Sequence, residues 1–144
     1  MNDTEIKMKE ISNQITDLKL EYEKLRSINI IELQEKLSVL VGMSFKDQYN
    51  YYFRIIDVPQ PEYNKSYTLF NEYQIPVLAC YNDPAFENID RVAIVTRFSK
   101  ASHAEDPVEC IRSEYTEIPE EEFDAELEKA FDEIRSLGKR GDAK

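Results

Sequence analysis

The first 41 residues hold neither glycine nor proline, and their apolar residues recur at helical spacing. Met8, Ile11, Ile15, Leu18, Tyr22 and Leu25 follow one another at intervals of 3, 4, 3, 4 and 3, an a/d stripe of about two and a half heptads. Continuing that phase lands on Asn29 and Glu32, both polar, whereas Ile30, Leu33, Leu37 and Leu40 restart the series after a slip. A slip of this kind rewinds a coiled coil locally or marks where one partner is exchanged for another. The spacing therefore predicts one long helix. Its first part pairs with another helix, giving a homodimer, and its second part packs on its own domain. A single amphipathic helix folded back along the domain fits the same spacing, whereas a tight hairpin lacks a turn residue.

Gly42 ends the helical pattern and strand chemistry follows. Strands are predicted at 44–46, along "YNYYFRIIDV" (49–58) up to Pro59 and Pro61, near Ser66–Tyr73, at Val77–Tyr81, along "RVAIVTRFS" (91–99) and near Ile111–Thr116. In the 91–99 segment Val92, Ile94 and Phe98 share one face, and Arg91, Arg97 and Ser99 the other. Residues 101–109 read as a loop. Ile118-Pro119 opens a last helix with Glu120, Glu121 and Glu122 where its dipole favours negative charge. Phe123, Leu127, Ala130, Phe131, Ile134 and Leu137 form its apolar stripe, and Gly138 its stop.

The expected fold is α+β: an N-terminal coiled-coil helix over 1–41 and a small domain over 42–138. That domain comprises an antiparallel sheet or SH3-like barrel and a C-terminal acidic helix, and a polar tail follows over 139–144. The 144 residues suffice for about one domain.

Charge narrows the partners. Of the net −11, residues 101–144 carry −8, with fourteen acids against six bases, while residues 1–41 and 42–100 carry only −2 and −1. Such a field repels phosphate backbones and anionic lipid, so direct nucleic-acid or membrane binding is disfavoured. The acids invite a sharper reading. A rigid helix bearing Glu117, Glu120, Glu121, Glu122, Asp124 and Glu128 can occupy a basic groove meant for nucleic acid, steered by the same long-range attraction. A solvated face predicts the same placement.

Catalysis finds little support. A thiolate at Cys80 or Cys110 would need the single histidine, His103, as its base, and no signature surrounds either cysteine. Asp83, Glu87 and Asp90 could meet in one loop, but neither a calcium loop nor zinc spacing is present. Three glycines, at 42, 138 and 141, exclude a phosphate-cradling loop. No cofactor or metal is expected. Tyr49, Tyr51, Tyr52 and Phe53 could stack bases if interleaved with bases of their own, but only Lys46 and Arg54 are near; a sheet core or a protein-binding patch fits better. The start of the chain lacks a secretory pattern, which predicts a cytoplasmic protein with reduced cysteines.

Three segments, "LVGMSFKD", "YYFRIIDV" and "EYTEIPEEEFDAELEKAF", resemble small uncharacterised proteins of bacteriophages and mobile elements. Val41-Gly42 with Phe45, Tyr51 to Ile56, and Tyr115 to Phe123 carry the resemblance, with Met43 in place of a lysine and Pro119 in place of a capping threonine. The family has no assigned activity. The resemblance implies a phage setting, where small acidic proteins bind and disable host machinery, anti-CRISPR inhibitors among them. A structural or assembly component of a phage particle is the competing reading.

Overall fold

In a computed structural model the protein is α+β, and the structure describes residues 1–63, 72–82, 91–101 and 106–142, the last six of these by backbone alone. Helix α1 runs over Asp3–Leu37, opened by the Asn2 side chain, which accepts from the Glu5 N–H. A 3-10 turn, Ser38–Leu40, and Gly42 at φ +89° then swing the chain into the sheet.

Strands β1 (Ser44–Lys46), β2 (Tyr52–Ile55), β3 (Gln60–Glu62), β4 (Glu72–Cys80) and β5 (Val92–Ser99) precede helix α2 (Pro107–Glu114), strand β6 (Thr116–Ile118) and helix α3 (Glu120–Asp142). All pairings are antiparallel. The order is β3-β4-β2-β1-β6, with β5 on the other edge of β4. Because β5 and β6 do not pair, the sheet is open rather than a closed barrel among the described residues.

Helices cover both faces of the sheet. One face packs Phe45, Phe53, Ile55, Ile75 and Val77 against Leu37 at the end of α1, Leu40 of the 3-10 turn and Ile111 of α2. The other packs Cys80 and Ile118 against Phe123 and Ala130 of α3. The second apolar series of α1 therefore belongs to the domain: Leu33, Leu37 and Leu40 enter its core.

Several expectations are corrected. The 49–58 strand shrinks to Tyr52–Ile55, because the Asp47 carboxylate accepts from the Tyr49 and Tyr51 N–H groups and folds 47–50 into a turn. Pro61 does not stop the sheet but sits inside β3, opposite Tyr73. Of the two strands expected at 66–73 and 77–81, residues 72–80 form a single strand that passes through Pro76, and 66–71 lie outside the described residues. Pro76 fits because its carbonyl accepts from Ile56, so its proton-less nitrogen faces the same side, where β2 has ended and β3 has not begun.

Residues 107–114, split between an expected loop and an expected strand, form α2. Asp106 caps it by accepting from the Glu109 N–H, and Pro107 occupies its first turn. Strand β6 starts only at Thr116. Helix α3 passes through Gly138 to Asp142, so the tail expected from 139 is helical backbone as far as that residue.

Candidate interaction surfaces

Residues 1–21 of α1 are exposed throughout, so the helix projects from the domain as an arm. On it, Met8, Ile11, Ile15, Leu18 and Leu25 stand between 48% and 64% exposed, and Tyr22 is half-buried. An apolar face this long on a projecting helix leaves unmet the burial that holds helices in place. Ile15, Leu18, Tyr22 and Leu25 line a groove of about 460 Å³. A second groove, of about 240 Å³, continues from Tyr22 and Leu25 past Arg26 and Asn29 to Tyr63. There the domain begins to hold the helix. Asn29 Nδ2 donates to the Tyr63 hydroxyl at 2.6 Å, Arg26 lies over the Tyr63 ring at 5.8 Å, and Gln34 donates to Gln60 at 2.6 Å.

Half of the fourteen acids in the C-terminal third are ion-paired among the described residues, and of their partners only Arg54 comes from outside that segment. Arg54 reaches from β2 to Asp124 at 2.9 Å and Glu120 at 3.8 Å, with its guanidinium over the Phe123 ring at 4.5 Å. It thereby clamps the first turn of α3 to the sheet. Arg112 pairs with Glu117, Arg135 with Glu128 and Asp132, and Lys129 with Glu126. Of the six carboxylates proposed for partner binding, only Glu121 and Glu122 make no ion pair among the described residues. Glu117, Glu120, Asp124 and Glu128 all make one.

The aromatic run 49–53 is divided by the pleat. Phe53 is buried between Phe45, at 5.6 Å, and Tyr115, at 4.9 Å between centroids. Tyr51 meets Tyr81 edge-on at 4.8 Å, Tyr52 lies on the opposite face beneath α3, and Tyr49 is exposed. The four make no single stacking platform.

Sequence reasoning missed the group at the centre of this face. Arg97 lies over the rings of Phe53 at 4.5 Å and Tyr115 at 5.0 Å, and its Nη2 donates to Asp47 at 3.1 Å. Burial works against the charge, yet Tyr115 and Asp47 more than offset it and hold the guanidinium above its ordinary pKa. The Arg97/Ser99 face of β5 thus points into the domain. Ile94 and Phe98 face outward, 74% and 53% exposed, beyond the reach of α3, which covers only the Val92 end. The period-two pattern pairs these residues correctly, but which face is buried shows only in the fold, where Val95, Arg97 and Ser99 turn inward.

Cys80 lies buried under α3, and burial together with Glu126 pushes its thiol up to about 12. That makes it a poor nucleophile at neutral pH. His103 and the Asp83, Glu87 and Asp90 loop lie outside the described residues. Among the described residues no three potential ligands gather as a metal site, and no helix is long and apolar enough to cross a membrane.

A polar cleft of about 320 Å³ lies between Tyr49, Asn50, Tyr52, Asn82 and Glu126. Asn82 Nδ2 donates to Glu126 there, and its buried Oδ1 finds no donor among the described residues.

No known protein family, curated protein or solved structure matches this chain.

Proposed function

We propose that this is a non-enzymatic protein-interaction protein that self-associates through the projecting part of α1 and presents its α+β domain to a partner protein. The observation that carries the reading is the exposed stripe Met8, Ile11, Ile15, Leu18 and Leu25 on a helix that its own domain does not cover. Heptad-spaced apolar residues of this kind are satisfied by a second helix. Ile15→Asp and Leu18→Asp each place a carboxylate in the middle of the stripe, where pairing would bury it without a partner. Both variants should elute as folded monomers in light scattering with unchanged domain melting, while the unmodified chain gives a dimer mass. Variants that keep the wild-type mass would refute the pairing.

The acidic segment supports a narrower reading of the domain's partner. In that reading α3 and its flanks occupy a basic, nucleic-acid-binding surface of a host protein, steered by the excess of negative charge in the C-terminal third. Because four of the six candidate carboxylates are already paired within the fold, the reading concentrates on Glu121 and Glu122. Glu121→Gln/Glu122→Gln should weaken capture of the host partner at low salt, and raising the salt should weaken capture by the unmodified chain as well. Capture indifferent to both changes would remove this reading and leave self-assembly.

A further inference from the structure

We infer that the occupant of the α1 groove is the same segment of a second copy of this chain, running antiparallel, so that the two domains sit at opposite ends of a helical rod. The inference rests on the self-association proposed above and adds its geometry.

The decisive feature is that the stripe and the domain share one side of α1. At about 100° per residue, Arg26, Asn29, Leu33 and Leu37 all point within roughly 40° of the direction of Ile15. Those are the residues with which the helix meets Tyr63 and the sheet core. Paired helices lie about 8–10 Å apart. In a parallel pair, the partner's residues 26–37 would therefore have to occupy the space already filled by Tyr63, Gln60 and β3. An antiparallel partner brings a different segment alongside. With Met8 opposite Leu25, its helix, which begins at Asp3, passes only Arg26 and Asn29, where the groove is open as far as Tyr63 among the described residues, and does not reach the level of Leu33 and Leu37.

The stripe is also complementary to its own reverse. Antiparallel coiled coils stack an a residue on a d residue, and one register does this at every position. Met8 meets Leu25, Ile11 meets Tyr22 and Ile15 meets Leu18, each pair occurring twice about a central dyad. The same register brings Glu5 of one chain beside Arg26 of the other. The acidic first turn, Asp3 and Glu5, thus meets the basic residue at the mouth of the second groove. The Leu37 residues of the two copies are then about 60 Å apart along the rod, and each domain faces a separate partner.

Cysteine cross-linking distinguishes the orientations. In a Cys110→Ser background, which leaves only the buried Cys80, one chain carries Met8→Cys and another Leu25→Cys. After the two are mixed and mildly oxidised, non-reducing electrophoresis should show a cross-linked dimer between unlike chains. Met8→Cys alone should give none, because its two copies lie about 25 Å apart along the axis. Efficient cross-linking of Met8→Cys alone would overturn the orientation in favour of a parallel pair. Failure of the mixture to cross-link while light scattering still reads a dimer would overturn the register. A monomer in light scattering would instead refute the self-association on which the inference rests.

Discussion

Phe53→Ala should lower the unfolding free energy by about 3–5 kcal/mol, the cost of emptying a large, fully packed aromatic site. Phe53 is 1% exposed and central to the larger core cluster. Phe45 stacks on one side of it, Tyr115 meets it edge-on, and the Arg97 guanidinium covers it. No neighbour can collapse into the space without giving up one of these contacts. Urea unfolding followed by circular dichroism should show the midpoint fall with an unchanged slope. Phe53→Leu, which keeps most of the volume, should lose well under half as much. A loss below about 1 kcal/mol for Phe53→Ala would mean that the packing described around it is wrong.

Arg97→Ala should cost about 3 kcal/mol, close to the lower end for breaking a buried ion pair. The Arg97 side chain retains 22% of its exposure, which softens the penalty, while Asp47, at 9%, is left with a carboxylate it cannot easily hydrate. Stacking on Phe53 and Tyr115 is lost as well. Thermal unfolding should drop by about 10 °C. Arg97→Met combined with Asp47→Asn should recover much of the loss, since the pair is removed together and the asparagine oxygen still accepts from the Tyr49 and Tyr51 N–H groups. Because Arg97 and Phe53 touch, Arg97→Ala and Phe53→Ala should together cost less than the sum of the two. Strict additivity would contradict the contact.

The long helix was legible because absence of glycine and proline, together with 3/4 spacing, leaves few alternatives. Past the slip after Leu25, Leu33, Leu37 and Leu40 pack into the core of the domain. The sheet was legible in content and blurred in detail. Prolines read as breakers in one dimension, but Pro61 and Pro76 sit where the ladder asks nothing of their nitrogen, and that depends on which strand lies alongside. Helix α2 has eight residues, too few for a periodicity to stand out, and only its Asp106-Pro107 start was there to be read.

Which side of β5 is buried cannot follow from alternation. It shows only in the fold, where Asp47, fifty positions away, pairs with an arginine turned inward. The same holds for the acids of α3. Asp124 looked free because its partner, Arg54, is seventy positions distant.

Sedimentation equilibrium of the unmodified chain at about 100 μM, a concentration at which even a micromolar pair is associated, tests the central claim most directly. Pairing through α1 predicts a mass twice that of the 16.9 kDa chain, returning to a single chain's mass with Leu18→Asp. A mass of 16.9 kDa for the unmodified chain would contradict it.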